Sequence, residues 1–227
     1  MRVVIKVSGH LISSSEEIID VGYLKRLVPV LRRLSEEHEL VAVVGGGALS
    51  RIFANALGEL VRSDGLRDLL GIEATRLNAS LLAKALGERA HQKIPETLSE
   101  VLSMDLRKVV VMGGLQPGQS TTTVAAIVAE AVGADRLVIT TDVEGVYTSD
   151  PKRDKRAVKL ERATIGQLRE IFSRQEIRPG AYELLDYLTL SILERSRIPA
   201  VVVKGDPPEN IRRVVMGERL GTEVVYE

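Results

Sequence analysis

A polar loop rich in glycine and hydroxyl side chains lies at residues 113–123. The run before it, residues 108–112, is short and rich in β-branched residues, which predicts a buried strand. The run after it, residues 124–131, predicts a helix with an apolar face. Glycines let the backbone approach a ligand, and the hydroxyls precede the unpaired N–H groups that begin a helix. The loop is therefore suited to a phosphate, although its Ser and Thr residues could simply cap the helix.

A lysine and a glycine lie at the end of another predicted strand, residues 3–7. Lys6 is unusual in an apolar strand because a buried, unpaired ammonium is costly. A phosphate at the strand end would pair the Lys6 ammonium, and Gly9 would bring backbone N–H groups close to it. The alternative is that Lys6 lies at the sheet margin, with its ammonium in water. The glycine that follows so closely favours the phosphate interpretation.

Three consecutive glycines, residues 45–47, follow the predicted strand at residues 40–44. They permit a tight turn and a nest of backbone amides for an anion. Arg51 lies about one turn inside the next predicted helix, where its guanidinium could bind the same phosphate or form a surface ion pair. Several such loops on one sheet suggest two phosphorylated ligands, and hence phosphoryl transfer between them.

Other site chemistries find no support in the sequence. None of the glycine loops has the spacing of the dinucleotide or P-loop fingerprints, and the His-Arg-Asp and Asp-Phe-Gly motifs of protein kinases are absent. His10, His38 and His91 are too dispersed to suggest a metal site. The chain has no cysteine, which excludes disulfides, a thiolate nucleophile and cysteine-ligated zinc.

The glycine loops are separated by alternating strand and helix patterns. Further predicted strands lie at residues 136–140, 200–203 and 223–226. Predicted helices lie at residues 24–37 (with a kink or early turn at Pro29), 48–57, 68–86 and 210–216. Val- and Ile-rich runs that alternate with helices predict an α/β fold, a three-layer αβα sandwich around a mostly parallel sheet. Ligands of such sheets bind at the carboxyl ends of the strands, where the glycine loops fall.

Composition narrows the class of protein. The 227 residues include 31 basic and 31 acidic side chains, for a formal net charge of +0. This balance disfavours a nucleic-acid binder. The charged stretch at residues 148–162 is expected to be an exposed loop or hairpin between two lobes of one domain, with solvated charges. With no apolar run long enough for a bilayer and no signal-peptide pattern, we expect a cytoplasmic protein with no membrane contact.

The segment 140–151 carries two acids, a glycine and an aromatic directly after a predicted strand. Tyr147 could flank a base and the acids could bind ribose or hydrated Mg²⁺; alternatively the segment is an acidic turn with Tyr147 packed on it. Its pattern Asp-Val-Glu-Gly-Val-Tyr-x-x-Asp-Pro resembles the nucleotide-site signature of the amino acid kinase superfamily, and the loops above occur in the order that superfamily uses. Within it, the segments that resemble uridylate (UMP) kinases, particularly the archaeal type, are residues 68–78, 114–121 and 181–186.

The resemblance, which runs essentially end to end, implies an amino acid kinase-like fold. Residues 1–227 would form a single domain with an N-terminal acceptor-binding lobe and a C-terminal ATP-binding lobe. The implied activity is ATP-dependent phosphorylation of UMP to UDP by direct in-line transfer, in pyrimidine nucleotide (CTP) biosynthesis. Mg²⁺ would be held mainly by phosphates and water, with no protein ligand assigned. The implied assembly is a homohexamer, a trimer of dimers.

The resemblance also implies roles for individual residues. The ATP-binding residues would be Lys6, Gly9, His10, Gly47, Arg51, Thr141, Asp142, Tyr147 and Asp150. The UMP-binding residues would be Gly46, Asp68 (on the ribose hydroxyls), Gln116, Pro117, Gly118, Gln119, Ser120, Thr121 and Thr122. A nucleoside monophosphate is already largely ionised near neutral pH, so the acceptor needs no general base. Catalysis then consists of positioning and of charge neutralisation by Lys6, Mg²⁺ and the loop N–H groups, with assistance from Arg51.

The chain departs from the usual uridylate kinase pattern at His10, Thr122, Asp142 and Glu144, which leaves metal positioning and any catalytic acid open. Isopentenyl phosphate, acetylglutamate and carbamate kinases share the fold and are alternatives. The first of these place a histidine shortly after the glycine turn, and residues 45–51 contain none. A nucleotide-sensing or storage protein that keeps the fold without phosphoryl transfer is the non-enzymatic alternative.

Overall fold

The computed structural model describes residues 1–13, 17–173 and 184–226. Within these ranges seven strands form one sheet, in the order β3-β2-β1-β4-β6-β7-β5. The strands are β1 (Arg2–Val7), β2 (Glu39–Val44), β3 (Val110–Met112), β4 (Arg136–Thr141), β5 (Arg162–Thr164), β6 (Ala200–Lys204) and β7 (Thr222–Val225). All neighbouring strands are parallel except β6 and β7, which are antiparallel.

The described helices alternate with the strands along much of the chain. They are α1 (Gly9–Ile12), α2 (Val21–Glu37), α3 (Gly47–Leu60), α4 (Asp64–Leu86), α5 (Leu98–Ser103), α6 (Thr121–Ala131), α7 (Ile165–Ser173), α8 (Tyr187–Ser196) and α9 (Glu209–Val215), with one 3₁₀ turn at Gly87–Arg89. None of the helices in the described part of the chain combines the length and apolar character needed to cross a membrane.

The sheet is buried on both faces, as the Val- and Ile-rich strands predict. Successive side chains of a strand point to opposite faces. In β1, Val3 and Ile5 pack with α2 and α9 in one core, whereas Val4 packs with α6 and α8 in the other. The predicted α/β fold with helices on both faces of a mostly parallel sheet is therefore confirmed.

Some element boundaries differ from the sequence prediction. The helix predicted at residues 24–37 runs over Val21–Glu37 and contains Pro29 without ending there. The strand predicted at residues 108–112 is shortened to Val110–Met112, with Val109 forming only an isolated bridge to Ala90. The short elements α1, α5, β5, α7 and α8 were not predicted, because a few residues carry too little periodicity to distinguish.

The charged stretch after β4 forms the expected hairpin. Thr148 donates its N–H to the Val158 carbonyl at 3.0 Å, and Leu160 donates to Val146 at 2.8 Å. Of the 181–186 segment, residues 181–183 lie outside the described residues; Asp186 caps α8, accepting from the Thr189 N–H at 2.7 Å.

Candidate active site

The first two glycine loops lie at the carboxyl ends of the neighbouring strands β1 and β2 and are packed backbone against backbone. A Cβ added at Gly45 would lie 2.5 Å from the Gly9 nitrogen, and one at Gly47 would lie 2.5 Å from the Gly9 carbonyl oxygen. Gly47 also has a φ of +59°, which disfavours any residue with a side chain. Glycine is therefore required here by close approach, and the two loops form one unit.

The Ser13 side chain forms hydrogen bonds to both glycine loops of this unit. Its hydroxyl donates to the Gly9 carbonyl at 2.9 Å and accepts the Ala48 N–H, from the first turn of α3, at 2.8 Å. The Ser13 side chain thus ties the end of α1 to the start of α3. It also occupies one of the unpaired N–H groups with which α3 begins. Sequence reasoning missed Ser13, since nothing in its neighbourhood indicates a partner 35 residues away.

A cavity of about 300 Å³ opens in front of this unit. The predicted site residues that line it are Lys6, Gly9, His10, Gly46, Gly47, Arg51, Ser120, Thr121, Thr122, Thr141, Asp142 and Asp150. The other lining residues are Ser8, Gly45, Ile139, Thr140, Lys152 and Leu184. Residues from five separate parts of the chain therefore meet at the carboxyl edge of the sheet.

The Lys6 ammonium has no hydrogen bond or ion pair with the described residues. Lys6 belongs to the interior strand β1, whose neighbours β2 and β4 flank it with Val43 and Ile139. Burial lowers the pKa of Lys6 to about 8, and the Asp142 carboxylate opposes part of that shift. An unpaired, half-buried cation that lines a cavity is an anion-binding group.

Thr140 fixes the backbone on which Lys6 is carried. Its hydroxyl donates to the Lys6 carbonyl at 2.8 Å and accepts the Ser8 N–H at 3.0 Å. This fully buried side chain joins the ends of β1 and β4, 134 residues apart in sequence. Thr140 belongs to the segment 140–151 singled out in the sequence, but these hydrogen bonds to the backbone of β1 were not predicted.

Arg51 and His10 meet across the two glycine loops. One terminal nitrogen of the Arg51 guanidinium lies 3.3 Å from Nε2 of His10. A guanidinium can only donate, so Nε2 must accept, which requires a neutral imidazole with its proton on Nδ1. Desolvation, and next the Arg51 charge, lower the pKa of His10; Lys6 and Lys152 add to this shift and Asp142 opposes it.

The prediction that the charges of the hairpin are merely solvated is wrong for Lys152. Its ammonium pairs with the Asp142 carboxylate at 2.5 Å, and both side chains line the cavity. Burial raises the pKa of Asp142, but the hydrogen bond and charge of Lys152, together with His10, outweigh it and hold that pKa below its usual value. The hairpin folds back onto the end of β4, which a charge pattern read along the chain could not reveal.

The hydroxyl residues at the start of α6 cap the helix, and they also line the cavity. Ser120 is the N-cap, its hydroxyl accepting the Thr123 N–H at 3.0 Å. The same hydroxyl donates to Asp186, the N-cap of α8, so that two helix starts are joined by their capping side chains. Thr121 and Thr122 line the cavity, as Ser120 does.

The remaining predicted residues lie beside the cavity rather than on it. Asp68 accepts the Gly118 N–H at 2.8 Å, which brings α4 to the polar loop. Gly118 lines an adjoining cavity of about 420 Å³, together with Ser120 and Thr122. Gln116, Pro117 and Gln119 line neither cavity. The side-chain oxygen of Gln119 is buried and has no hydrogen-bond partner in the described part of the chain. Tyr147 lies on the hairpin, bridged to Lys159, and is not among the lining residues.

Two residues of α4 that were not predicted as site residues form hydrogen bonds to the backbone of the polar loop and of the glycine turn. Thr75 accepts the Gly114 N–H at 2.6 Å. Asn78 donates to the carbonyls of Gly45 and Gly46, at 2.9 and 3.1 Å. Both lie in the 68–78 segment that carries the resemblance, but nothing local assigns them a partner.

The carboxylates that line the cavity are Asp142 and Asp150. Within residues 1–13, 17–173 and 184–226, no group of three or more His, Asp or Glu side chains is arranged to hold a metal ion. Two carboxylates beside an anion-binding cleft are oxygen ligands of the kind that Mg²⁺ prefers, and Mg²⁺ usually keeps several waters and substrate phosphates as its other ligands.

Comparison with known proteins agrees with this geometry. The sequence profile of the amino acid kinase family matches residues 1–204. A uridylate kinase of Hyperthermus butylicus is 48% identical over 222 residues, covering 97% of this chain and 96% of that protein. One of Thermofilum pendens is 43% identical over 222 residues, covering 96% and 94%. The crystal structure of the uridylate kinase from Archaeoglobus fulgidus is 38% identical with a TM-score of 0.88, covering 99% and 100% of the two chains. This chain therefore belongs to the amino acid kinase family, and the three relatives described above are uridylate kinases.

Proposed function

We propose that this protein transfers the γ-phosphoryl group of ATP to UMP, forming UDP and ADP. The observation that carries the proposal is the unpaired Lys6 ammonium at the edge where two glycine loops meet. A cation beside backbone N–H groups neutralises charge on a phosphoryl group in transit. The full-length relatives named uridylate kinases support UMP as the acceptor.

The acceptor phosphate of UMP is the nucleophile. Its second pKa is about 6, so it is ionised near neutral pH and no side chain needs to remove a proton. The two phosphates must instead be brought into line and their mutual repulsion neutralised. Lys6 is the central cation for this, and Arg51 assists from the first turns of α3.

The donor, ATP, is proposed to lie on the side of β1 and β4. Gly9, His10, Gly47 and Arg51 would follow its phosphates, with Lys6 at the transferred group. Thr141, Asp142, Tyr147 and Asp150 would lie toward its nucleoside. Mg²⁺, when bound with ATP, would neutralise phosphate charge; Asp142 and Asp150 are the cavity carboxylates that could bind it directly or through water.

The acceptor is proposed to lie on the side of α4 and the polar loop. Gly46 would meet the UMP phosphate and residues 116–122 would wrap the nucleotide. Asp68 would accept the ribose hydroxyls with the carboxylate oxygen that the Gly118 N–H does not use. In this arrangement residues 1–227 act as one domain, an N-terminal acceptor lobe and a C-terminal ATP lobe. The reaction would supply UDP for pyrimidine nucleotide (CTP) biosynthesis in the cytoplasm.

A homohexamer built as a trimer of dimers is part of the proposal. In support of an assembled state, α3 and the start of α4 expose apolar side chains: Ile52 and Phe53 are 49% and 50% exposed, and Leu60 is 80% exposed. α3 has no buried residue among its fourteen. Several large apolar side chains exposed on one helix are typical of a protein–protein contact.

ADP release from ATP and Mg²⁺, measured with UMP, CMP, dUMP and isopentenyl phosphate as acceptors, tests the function. A strong preference for UMP is expected. Turnover with isopentenyl phosphate alone would keep the fold and replace the substrate. Nucleotide binding with no turnover of any acceptor would overturn the proposal and leave a nucleotide sensor or store.

A further inference from the structure

One face of α4 is bonded to both loops that surround the proposed acceptor site. Asp68, Thr75 and Asn78 are spaced by seven and three residues, which places them on the same side of an α-helix. Asp68 accepts from Gly118 and Thr75 accepts from Gly114, both in the polar loop after β3. Asn78 donates to Gly45 and Gly46, in the glycine turn after β2.

Thr75 lies at the junction of the two loops. Its hydroxyl donates to the Ile72 carbonyl at 2.6 Å and so presents its oxygen to the Gly114 N–H. A Cβ added at Gly113 would lie 2.4 Å from that oxygen, and one at Gly46 would lie 3.4 Å from the Thr75 methyl carbon. The Thr75 side chain, 6% exposed, is therefore bonded to the polar loop, and its methyl group faces Gly46 of the glycine turn.

Asn78 holds the glycine turn through its carbonyl groups. Its side-chain NH₂ donates to two consecutive carbonyls, and the residue is 4% exposed. The Gly45 N–H donates to the Val7 carbonyl at 2.9 Å, whereas the N–H groups of Gly46 and Gly47 have no acceptor among the described residues. Deleting the amide would leave two carbonyl groups without this donor in a largely dry environment, which is unfavourable.

The polar loop needs such an anchor, because the sheet holds it weakly. β3 is an edge strand of three residues, paired only with β2 within the described sheet. Its register with β2 ends at Met112, directly before Gly113. The loop is then guided by α4 rather than by strand pairing.

We propose that Thr75 and Asn78 are positioning residues for the acceptor: from one helix face they set the distance between the glycine turn and the polar loop, and hence the fit of a nucleoside monophosphate between them. This rests on the proposed function, because it takes these two loops to be the acceptor site. Neither side chain lines the cavity, so each acts through the backbone it holds.

Thr75→Val and Thr75→Ser form the central comparison. Valine keeps the branched shape but cannot accept the Gly114 N–H, whereas serine keeps the oxygen. We expect Thr75→Val to raise the KM for UMP about tenfold or more, with the KM for ATP changed less than about twofold. Thr75→Ser should restore most of the UMP affinity. Titration calorimetry with UMP alone should show the same order of affinities without turnover.

Two further variants separate positioning from stability. Asn78→Leu, similar in shape but unable to donate, should also raise the KM for UMP selectively, and it serves if Thr75→Val does not fold. Ser63→Ala removes the N-cap of the same helix, whose hydroxyl accepts the Leu66 N–H and bonds to neither loop among the described residues, and should lower the unfolding temperature without moving either KM. The inference is overturned if Thr75→Val and Asn78→Leu raise the KM for UMP and the KM for ATP equally, or if they leave the KM for UMP unchanged. It is also overturned if Thr75→Ser raises the KM for UMP as much as Thr75→Val does.

The wild-type protein distinguishes failure of this inference from failure of the proposed function. Robust UMP turnover by the wild type, with no selective effect in the variants, overturns only the positioning role. If the wild type turns over a different acceptor, that acceptor replaces UMP in the comparison, with the same outcomes supporting or overturning the inference. If the wild type binds nucleotide without turnover, the variants are compared by calorimetry instead. Loss of UMP affinity in Thr75→Val with recovery in Thr75→Ser supports the inference, and equal UMP affinity of the two variants overturns it.

Discussion

Gly9 and Gly47 are in direct backbone contact: a Cβ added at Gly9 would lie 2.2 Å from the Gly47 nitrogen and 2.7 Å from its Cα. No side chain can rotate away from such an overlap, because both partners are backbone. The short distance between the two proposed phosphate-binding loops therefore requires glycine at both positions.

Gly9→Ala should separate these loops and lower kcat/KM for ATP by about 100-fold or more, since misplacement of about 1 Å is enough for a loss of that size. Gly65→Ala is the matched control: it lies in α4 with nothing within 4 Å of an added Cβ, and alanine favours the helix. Steady-state kinetics and thermal unfolding of both variants test this. Equal kinetic effects of the two substitutions would contradict it.

Lys6 should give the free protein a pH-dependent affinity for ATP. With a pKa of about 8, its ammonium is lost as the pH rises above that value, so kcat/KM for ATP should fall about tenfold per pH unit there. Lys6→Arg should be slower at every pH but flat above pH 8, because a guanidinium stays charged. A wild-type profile that is level to pH 9.5 would refute this assignment.

The lowered pKa of Lys6 also makes the free energy of unfolding depend on pH. The folded pKa of Lys6, about 8, lies below its value of 10.5 in the unfolded chain, so the unfolded chain binds this proton more tightly. The Lys6 charge therefore opposes folding below pH 8, and that cost disappears as the pH rises from 8 to 10.5. Comparing unfolding free energies of wild type and Lys6→Met over this range should show a difference that shrinks with rising pH.

Lys152→Met should raise the KM for ATP a few-fold, because it removes a cation from the cavity and leaves Asp142 without its ion-pair partner. The KM for UMP should stay the same. Lys155→Met removes an equal charge from the same hairpin, at an exposed position that does not line the cavity, and should change neither value. An identical response of the two variants would mean that only the overall charge matters.

Asp68→Ala should raise the KM for UMP about tenfold or more, through loss of a charged hydrogen-bond acceptor for the ribose. Its effect on dUMP should be smaller, so discrimination between the two nucleotides should narrow. Asp64→Ala is the control, because that side chain is 95% exposed at the start of the same helix and pairs with Arg67. Unaltered discrimination in Asp68→Ala would remove Asp68 from ribose recognition.

Phe53→Asp should reduce the size of the assembly observed by sedimentation velocity, since a buried carboxylate without a partner opposes association. Leu102→Asp places the same carboxylate at a different exposed apolar residue, which is 55% exposed on α5. Only the first substitution should shift the distribution. An unchanged distribution for Phe53→Asp would move the contact surface away from α3.

Much of the fold could be predicted because its signals are local. The Val- and Ile-rich runs of β1, β2 and β4 have no competing interpretation as long helices, and a parallel sheet places their ends together. The strand predicted at residues 223–226 is found as β7, but its antiparallel pairing with β6 could not be predicted, because pairing between distant segments leaves no local signal. The short elements could not be predicted because few residues define them. The roles of individual site residues remain predictions.

By itself the sequence determined where the chain turns at strand ends, which of those turns suit an anion, and which family the motifs resemble. Only the tertiary structure decided which side chains act on those turns from a distance. Ser13, Thr75 and Asn78 each bond to backbone more than 30 residues away, and Lys152 returns to Asp142 through a hairpin. Tyr147, by contrast, lies off the cavity. The physical reason is that a hydrogen bond depends on separation and angle in space, which spacing along the chain constrains only within a single element.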